Sequence, residues 1–108
     1  MRICTFNVNS IRSRLEIVRN LIDEYNIDIL CMQEIKVEND KFPLIKDDLN
    51  CVVNGEKRYN GVAICSFFPI EKYLVLDDIK EARFIYALID DIHIINVYVP
   101  LGDNYAER

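Results

Sequence analysis

Two polar clusters near the start of the sequence contain residue types that could bind a cation and act on a substrate. Asn7 and Asn9 follow the first strand-like stretch, and Gln33 and Glu34 end the second one. Sheets of α/β proteins place their ligand crevices at the carboxyl ends of such strands. Amide and carboxylate oxygens suit a hard cation such as Mg²⁺, which keeps most of its waters. The spacing alone leaves Glu34 open as a metal ligand, a general base or a solvated strand end.

A βαβ unit is predicted to position both clusters. Residues 2–7 are rich in β-forming side chains and predict the first strand. Ser13 and Glu16 have the spacing of a capping box, and an apolar stripe predicts an amphipathic helix over residues 13–25. The apolar run within residues 27–36 predicts a strand buried on both faces. Because strands joined by a crossover helix run parallel, both clusters should lie at the same edge of the sheet.

The rest of the chain predicts strands joined by short connections. Residues 37–50 form a polar crossing with one helical turn near residues 44–48. The strands that follow are predicted over residues 51–54, 62–65, 70–76, 84–89 and 92–99. The first two flank loop 55–61 as a hairpin, and the last two form a second hairpin across Asp90-Asp91.

Three further side chains could serve chemistry or structure. Tyr59 lies beside two cations in loop 55–61, which predicts either a phosphate- or base-contacting loop or a solvated loop tip. His93 alternates with isoleucines in a strand, a pattern more typical of a structural histidine than of a catalytic one. Tyr98 ends its strand just before Pro100, where a turn could aim the hydroxyl outward.

The composition is that of an ordinary globular domain. The chain has 108 residues, 51% hydrophobic and 29% charged, which suffices for one domain with a modest core. A net charge of −5 and a pI of about 4.8 argue against nucleic-acid binding through bulk charge. A local basic patch or a polyanion bound through a metal ion stays open. No Gly-x-Gly-x-x-Gly follows the first strand, so a dinucleotide site of that type is set aside.

Cysteine usage and the first residues predict the compartment. The four cysteines are spread widely, with no Cys-x-x-Cys pair: Cys4, Cys31, Cys51 and Cys65. This spacing favours buried reduced thiols over a zinc site or a disulfide framework. The start, MRICTFN, does not have the pattern of a signal peptide, and no apolar run reaches membrane-spanning length. We therefore expect a soluble cytoplasmic protein with no membrane partner.

Several short motifs together resemble the exodeoxyribonuclease III / apurinic-apyrimidinic (AP) endonuclease family, within the wider endonuclease–exonuclease–phosphatase superfamily. Each motif alone is weak, but their shared order across nearly the whole chain is specific. The motifs are Phe6-Asn7-Val8-Asn9 followed by Arg12 and Arg14, Gln33-Glu34-Ile35-Lys36, Phe42-Pro43, Tyr59-Asn60-Gly61-Val62-Ala63, Glu81-Ala82-Arg83 and Asn96-Val97-Tyr98-Val99-Pro100. One departure is Ser10, where relatives commonly have glycine.

The resemblance implies both a fold and an activity. The fold class would be α/β (α+β), with residues 1–108 forming the N-terminal part of a four-layer α/β sandwich, a mixed β-sheet with a flanking helix. The activity would be that of a Mg²⁺- or Mn²⁺-dependent DNA-repair phosphodiesterase, an exodeoxyribonuclease and AP endonuclease. Its partner would be double-stranded DNA with abasic sites or 3′ ends, and the full domain would be a monomer.

The resemblance also implies roles for residues at the matching positions. Glu34 would ligate the metal, with Asn9 near it and Asn7 both a ligand and a holder of the hydrogen-bond geometry of the site. Tyr98 would donate a hydrogen bond to the scissile phosphate. The substrate-binding residues would be Lys36, which also supports Glu34, and Tyr59 and Arg83, which lie along the DNA path.

Other parts of the family pattern are missing from these 108 residues. The family has an Asp-x-Asn pair that activates water and a terminal Ser-Asp-His, and Asp103-Asn104 is not that pair because it adjoins the Tyr98 turn. We therefore expect a truncated form, inactive and poorly stable alone. Two alternatives stay open: a non-catalytic remnant or interaction module that needs a complementing half, or a superfamily phosphatase acting on a lipid phosphate or RNA.

Overall fold

In a computed structural model of the chain, residues 1–76 and 81–100 are described, and they form one α-helix, one short 3₁₀ helix and seven strands. The Asp103-Asn104 pair lies outside these residues. The elements are β1 (Ile3–Asn7), α1 (Leu15–Tyr25), β2 (Ile29–Gln33), the 3₁₀ helix (Asn39–Lys41), β3 (Asn50–Asn54), β4 (Val62–Ser66), β5 (Ile70–Leu74), β6 (Phe84–Ile89) and β7 (Ile92–Val97).

The strands form two sheets that pack face to face. Sheet A has the order β1-β2-β4-β3, in which β1 and β2 are parallel and the other pairs antiparallel. Sheet B has the order β5-β6-β7 and is antiparallel throughout. The predicted mixed fold class, with the β1–α1–β2 unit and both hairpins, is confirmed. The described residues supply a helix layer and two sheet layers of the predicted sandwich.

One core lies between helix α1 and the outer face of sheet A. Val18 and Ile22 of the helix are buried against Leu30 and Met32 of β2. The crossing between β2 and β3 closes the same core with Ile45. Burying a large aliphatic side chain contributes roughly 1.5–3 kcal/mol relative to leaving it exposed, so this face anchors the βαβ unit.

A second core joins the two sheets. Ile29 and Cys31 of β2 and Ile64 of β4 face Ile85 and Ile89 of β6. Consecutive residues of β2 thus point alternately into the two cores, and all of residues 29–32 are buried. The prediction of a strand buried on both faces is confirmed, and β2 holds the loop after it in a fixed position.

Two local predictions are wrong. Helix α1 begins at Leu15, and its N-terminus has no side-chain cap, because the Ser13 hydroxyl lies 3.1 Å from that of Ser10 instead of capping the helix. Residues 10 and 11 are bonded to the loop after β2, which delays the start of the helix. The helical turn of the crossing lies at Asn39–Lys41, before the predicted residues 44–48.

The cysteines differ from the prediction at one pair. Cys51 and Cys65 form a disulfide, so the expectation of reduced thiols is wrong for both. They are direct cross-strand partners in β3 and β4, with Cα atoms 4.1 Å apart, a proximity that sequence separation does not reveal. Cys4 and Cys31 are free. Burial, and secondarily the charge of Cys4, raises the pKa of Cys31 to about 11, which makes that thiol inert at neutral pH.

No helix within the described ranges is both long and apolar enough to cross a bilayer. His93 lies exposed on β7, and its Nδ1 is 2.7 Å from the Tyr86 hydroxyl. The two rings also stack, with centroids 5.8 Å apart. This partnership agrees with a structural histidine.

Candidate functional site

The parallel strands β1 and β2 end side by side. Asn7 and Gln33, the last residues of the two strands, are register partners. The chain continues to pair beyond them, because Val8 N donates to Gln33 O at 3.0 Å and Ser10 N donates to Glu34 O at 2.8 Å. The two polar clusters therefore meet at one edge of sheet A, as the βαβ unit predicts.

Tyr98 reaches this edge from sheet B. Its hydroxyl donates to Glu34 Oε1 at 2.9 Å, and its backbone N–H donates to Arg83 O at 2.8 Å. Both Tyr98 and Glu34 are half-buried. A carboxylate that accepts a phenolic hydrogen bond in a partly desolvated cleft has a fixed direction, which a flexible surface carboxylate lacks.

The amides on the β1 side form a separate cluster. Asn7 Oδ1 accepts a hydrogen bond from Asn9 N at 3.2 Å, and Asn9 Oδ1 accepts from the Lys36 ammonium at 2.7 Å. The family resemblance implies that Lys36 supports Glu34. The structure brings the Lys36 ammonium to Asn9, on the neighbouring loop, so the cation ties the loop after β2 to the loop after β1.

The backbone of both loops adopts the left-handed region. Asn9 and Ser10 have φ of 45° and 85°, and Glu34 and Lys36 have φ of 55° and 57°. Asparagine tolerates this region, but serine, glutamate and lysine do so rarely, and each such residue costs of order 1–3 kcal/mol. The ladder of backbone bonds between the loops holds this conformation. Strain of this kind clusters at functional sites.

An open cleft of about 400 Å³ lies beside the Tyr98–Glu34 pair. It is lined by residues of both sheets and their loops: Glu34, Lys36, Glu56, Tyr59, Asn60, Glu81, Arg83 and Tyr98. The structure thus brings Lys36, Tyr59 and Arg83, the three predicted substrate-binding residues, to one cavity. Tyr59 is 67% exposed at its mouth, where a flat ring could contact a base or sugar.

Arg83 carries a buried hydrogen-bond donor for which the described residues provide no acceptor. Its guanidinium forms an ion pair with Glu81, while its Nε is buried and has no hydrogen-bond partner among the residues that the structure describes. A buried unsatisfied donor is rare in folded proteins and calls for an acceptor. The residue also lines the cleft, and the guanidinium charge suits an anionic oxygen such as that of a phosphate.

Two residues of the site carry no role in the sequence-based prediction. Glu56 Oε1 accepts from Asn60 Nδ2 at 2.7 Å and from Ala82 N at 3.0 Å, so it holds the loop of Tyr59 against the segment of Arg83. Asn96 is buried in β7 and bonded to sheet A. A glutamate in a charged loop gives no signal of such contacts, and Asn96 stands out in the sequence as a polar residue within an apolar strand.

The donor set decides what the site could hold. Glu34 offers a carboxylate, and Asn7 and Asn9 offer amide oxygens, all hard ligands of the kind that Mg²⁺ and Mn²⁺ prefer. Within residues 1–76 and 81–100, no group of three or more histidine, cysteine, aspartate or glutamate side chains could enclose a metal ion. By donor chemistry, Glu34 suits a largely hydrated divalent cation, while Asn9 lies on the neighbouring loop and Asn7 lines the groove beside β7. These residues do not fit a zinc cage.

Comparisons with known proteins agree on one kind of relative. The sequence profile of the Endonuclease/Exonuclease/phosphatase family matches residues 4–105. Exodeoxyribonuclease III of Haemophilus influenzae is 29% identical over 124 aligned residues, which include 100% of this chain and 45% of that protein.

Solved structures give the same result. An AP endonuclease from Archaeoglobus fulgidus has 48% identity and a TM-score of 0.83, over 93% of this chain and 42% of its own. The 3′ phosphatase NExo from Neisseria, bound to a product DNA hairpin, has 41% identity and a TM-score of 0.85, over 91% of this chain and 41% of its own. This chain thus spans less than half the length of the relatives it matches.

Proposed function

Because the chain belongs to the Endonuclease/Exonuclease/phosphatase family, we propose that it is the N-terminal part of a Mg²⁺-dependent DNA-repair phosphodiesterase of the exodeoxyribonuclease III / AP endonuclease type. Relatives with those names align over nearly all of this chain. The chain provides less than half of their length, so we further propose that it is inactive alone. The cytoplasmic location and the monomeric state stay predictions.

The observation that carries the proposal is the hydrogen bond from the Tyr98 hydroxyl to Glu34 across the two sheets, 2.9 Å long. Residues 64 positions apart meet here beside a cleft that also contains Arg83. A phenol next to a carboxylate is suited to donate to a phosphate oxygen once a cation engages the carboxylate. One such preorganised donor typically contributes about 2.7–4 kcal/mol to transition-state stabilisation.

Glu34, Asn7 and Asn9 are the proposed holders of the divalent cation. Metal dependence is general in this family, and Mn²⁺ would satisfy the same ligands. When bound, the cation neutralises phosphate charge and stabilises the leaving oxyanion. The Lys36 ammonium on Asn9 Oδ1 fixes that amide, and the Asn9 N–H fixes Asn7. The chain's own task is to hold Glu34 and the two amides on neighbouring loops, which the backbone bonds between those loops do.

Arg83 and Tyr59 are the proposed DNA contacts. The Arg83 guanidinium lines the cleft, where its charge can attract a phosphate oxygen, and the exposed Tyr59 ring can lie against the nucleotide next to it. The neighbour from Neisseria was solved with a DNA hairpin, which supports DNA as the substrate. Within DNA, we propose abasic sites and 3′ ends of a duplex as the targets. Lys36 and Arg83 place positive charge at the cleft, although the chain as a whole has a net charge of −5.

The test is a chimera in which residues 1–100 of this chain replace the matching segment of the Archaeoglobus AP endonuclease. We expect it to nick an abasic-site duplex with Mg²⁺, and we expect Tyr98→Phe to lower the nicking rate about 10²–10³-fold through loss of one donor. Glu34→Ala should lower the rate at least as much. Lys72→Ala, which changes an exposed cation of β5 outside the cleft, is the matched control.

A folded chimera that does not nick the duplex would refute the DNA-repair proposal. Cleavage of a lipid phosphate or of RNA by the same chimera would instead support the phosphatase alternative. The proposal that the chain is inactive alone is tested by assaying the 108-residue chain without the rest of the enzyme. Nicking by that chain, lost in Glu34→Ala, would contradict this proposal.

A second candidate function is a non-catalytic interaction module, which one observation favours. A groove of about 770 Å³ runs between β1 and β7, whose outer edges pair with no other strand in the described part of the chain. Ile95 and Val97 are 61% and 46% exposed beside it. Unpaired strand edges next to apolar side chains accept an added strand. Binding of a complementing segment without any gain of nicking activity would support this candidate.

A further inference from the structure

A buried carboxamide connects sheet B to the two central strands of sheet A. Asn96 of β7 is 3% exposed. Its Nδ2 donates to the backbone carbonyls of Met32 and Ala63, each at 2.9 Å, and its Oδ1 accepts from Gln33 Nε2 at 2.8 Å. Both N–H groups and the oxygen are therefore paired.

The chemistry of this position differs from that of its surroundings. The core between the sheets is built from apolar residues such as Ile85 and Ile94, and Asn96 is a buried polar residue beside them. An apolar side chain of similar size would bury the same area without three hydrogen bonds having to form at once. Hydrogen bonds are directional, with strong preferences for angle and for a heavy-atom distance near 2.9 Å. The carboxamide thus adds a fixed register between the sheets, which non-directional apolar packing supplies less well.

That register determines where two functional side chains meet. Gln33 directly precedes Glu34, and Asn96 lies two residues before Tyr98 in the chain. The Tyr98 hydroxyl in turn donates a hydrogen bond to Glu34, so the two segments are joined at both positions. We propose that Asn96 is a positioning residue: by locking β7 onto the end of β2, it holds the Tyr98 hydroxyl on Glu34 and so sets the geometry of the cation and phosphate site. The catalytic part of this inference rests on the proposed function.

A fluorine label tests the positioning without any turnover. The chain has six tyrosines, and in a chain made with 3-fluorotyrosine the Tyr98 resonance is assigned by its loss in Tyr98→Phe. In Asn96→Ser we expect the Tyr98 resonance to move toward its position in Glu34→Ala, because the hydrogen bond from the phenol to Glu34 is lost in both. The Tyr73 resonance should stay in place if the fold is kept. A Tyr98 resonance that stays at the wild-type position in folded Asn96→Ser would overturn the proposal.

A second pair of variants keeps the test decisive if Asn96→Ser does not fold. Gln33→Met removes one of the three hydrogen bonds of Asn96, the one that its Oδ1 accepts, and should shift the Tyr98 resonance in the same direction by a smaller amount. Thr5→Val is the matched control, because it removes only the bond from Gln33 Nε2 to Thr5 Oγ1, 2.8 Å long, and leaves the link to Asn96. An unchanged resonance in Gln33→Met, or an equal shift in Thr5→Val, would count against Asn96 as the positioning group.

Mn²⁺ titration by electron paramagnetic resonance separates positioning from mere stability. Loss of a residue that orients a metal ligand typically lowers affinity 10–100-fold, so we expect Asn96→Ser to bind Mn²⁺ about 10-fold more weakly. In a Tyr98→Phe background the same change should produce no further loss, because its effect passes through Tyr98. Additive losses would overturn the proposal. A wild-type chain that binds no Mn²⁺ would contradict the cation site proposed at Glu34, Asn7 and Asn9, while the fluorine shifts would still decide the role of Asn96.

Discussion

The two hairpins, β3–β4 and β6–β7, are the same kind of antiparallel pair held in different ways. β6–β7 turns through Asp90 and Asp91, whose φ values of 50° and 60° are those of a tight turn that matches strand twist, and its register is unbroken. β3–β4 turns through the longer connection 55–61, which is held from outside. Gly61 O accepts from Ile35 N at 3.1 Å, and Gly61 N donates to Ala82 O at 2.8 Å.

This difference separates a hairpin whose turn is set by its own two residues from one whose connection is held by other segments. The site depends on the second kind, since loop 55–61 carries Tyr59 and borders the cleft. Its position is set by bonds to the loop after β2 and to residue 82. Changes in β3–β4 should therefore reach the site, and changes in the β6–β7 turn should remain local.

Gly61→Ala should have the largest effect and tests the externally held hairpin. Gly61 has φ of 90°, and a Cβ there would lie 2.5 Å from Ile35 Cγ1. Overpacking costs about 1–3 kcal/mol and the backbone strain of order 1–3 kcal/mol, so we expect unfolding free energy to fall by about 4 kcal/mol. Urea denaturation measures it. Because Ile35 follows Glu34, the cleft should open as well.

Arg58→Gly is the control in the same loop. Arg58 is exposed with φ of 71°, so glycine removes strain and should leave stability unchanged or slightly higher. Equal losses in Gly61→Ala and Arg58→Gly would mean that the loop tolerates no change at all, and the specific role of the Ile35 contact would be lost.

Reduction of the disulfide should cause the second-largest loss of unfolding free energy. It closes a loop between Cys51 and Cys65, which are separated by 14 residues, and cross-linking a loop of that size contributes about 3 kcal/mol in the chain-entropy picture. Adding a reductant should lower the unfolding free energy by that amount, measured with urea. The β6–β7 hairpin has no such link. In Cys51→Ser the reductant should have no effect, and a response there would assign the change to another group.

The hairpins also explain how much the sequence could predict. Two short apolar runs and an Asp-Asp turn between them specify β6–β7 locally, so its strands and turn follow from the sequence. The placement of Asn7 and Glu34 follows as well, because parallel strands joined by a helix must end together. The bonds of Glu56, the Lys36–Asn9 pair, the disulfide and the role of Asn96 could not be predicted. Each depends on the distance between segments far apart in the chain, which periodicity does not encode.

Cys31 lies between the two hairpins and should make their contact depend on pH. Its pKa is raised from 9.0 to about 11 by burial and by Cys4, so the folded state retains a proton that the unfolded state loses. The unfolding free energy is therefore unaffected by this thiol below about pH 9, and it falls as the pH rises from about 9 toward about 11. At 1.36 kcal/mol per pKa unit the loss is on the order of 2 kcal/mol. Denaturation of wild type and Cys31→Ala at pH 8 and 10.5 measures it, and a parallel decline in both would assign the effect to other groups.

Asp91→Gly should have the smallest effect and the opposite sign. Asp91 is exposed with φ of 60°, and glycine is the residue preferred at the second position of such a turn. Relief of the left-handed backbone outweighs the added freedom of the unfolded chain, so we expect a gain of about 0.5–1 kcal/mol. Urea denaturation measures the change, with an unaltered slope.

Glu24→Gly is the matched control, because the same glycine placed in helix α1 should destabilise by about 1 kcal/mol. If Asp91→Gly destabilised the chain as well, the β6–β7 turn would owe its shape to contacts elsewhere. The two hairpins would then depend on the rest of the molecule alike. A gain at Asp91 together with a loss at Gly61 requires the opposite conclusion: one turn is set by its own backbone preference, and the other by the loops that build the site.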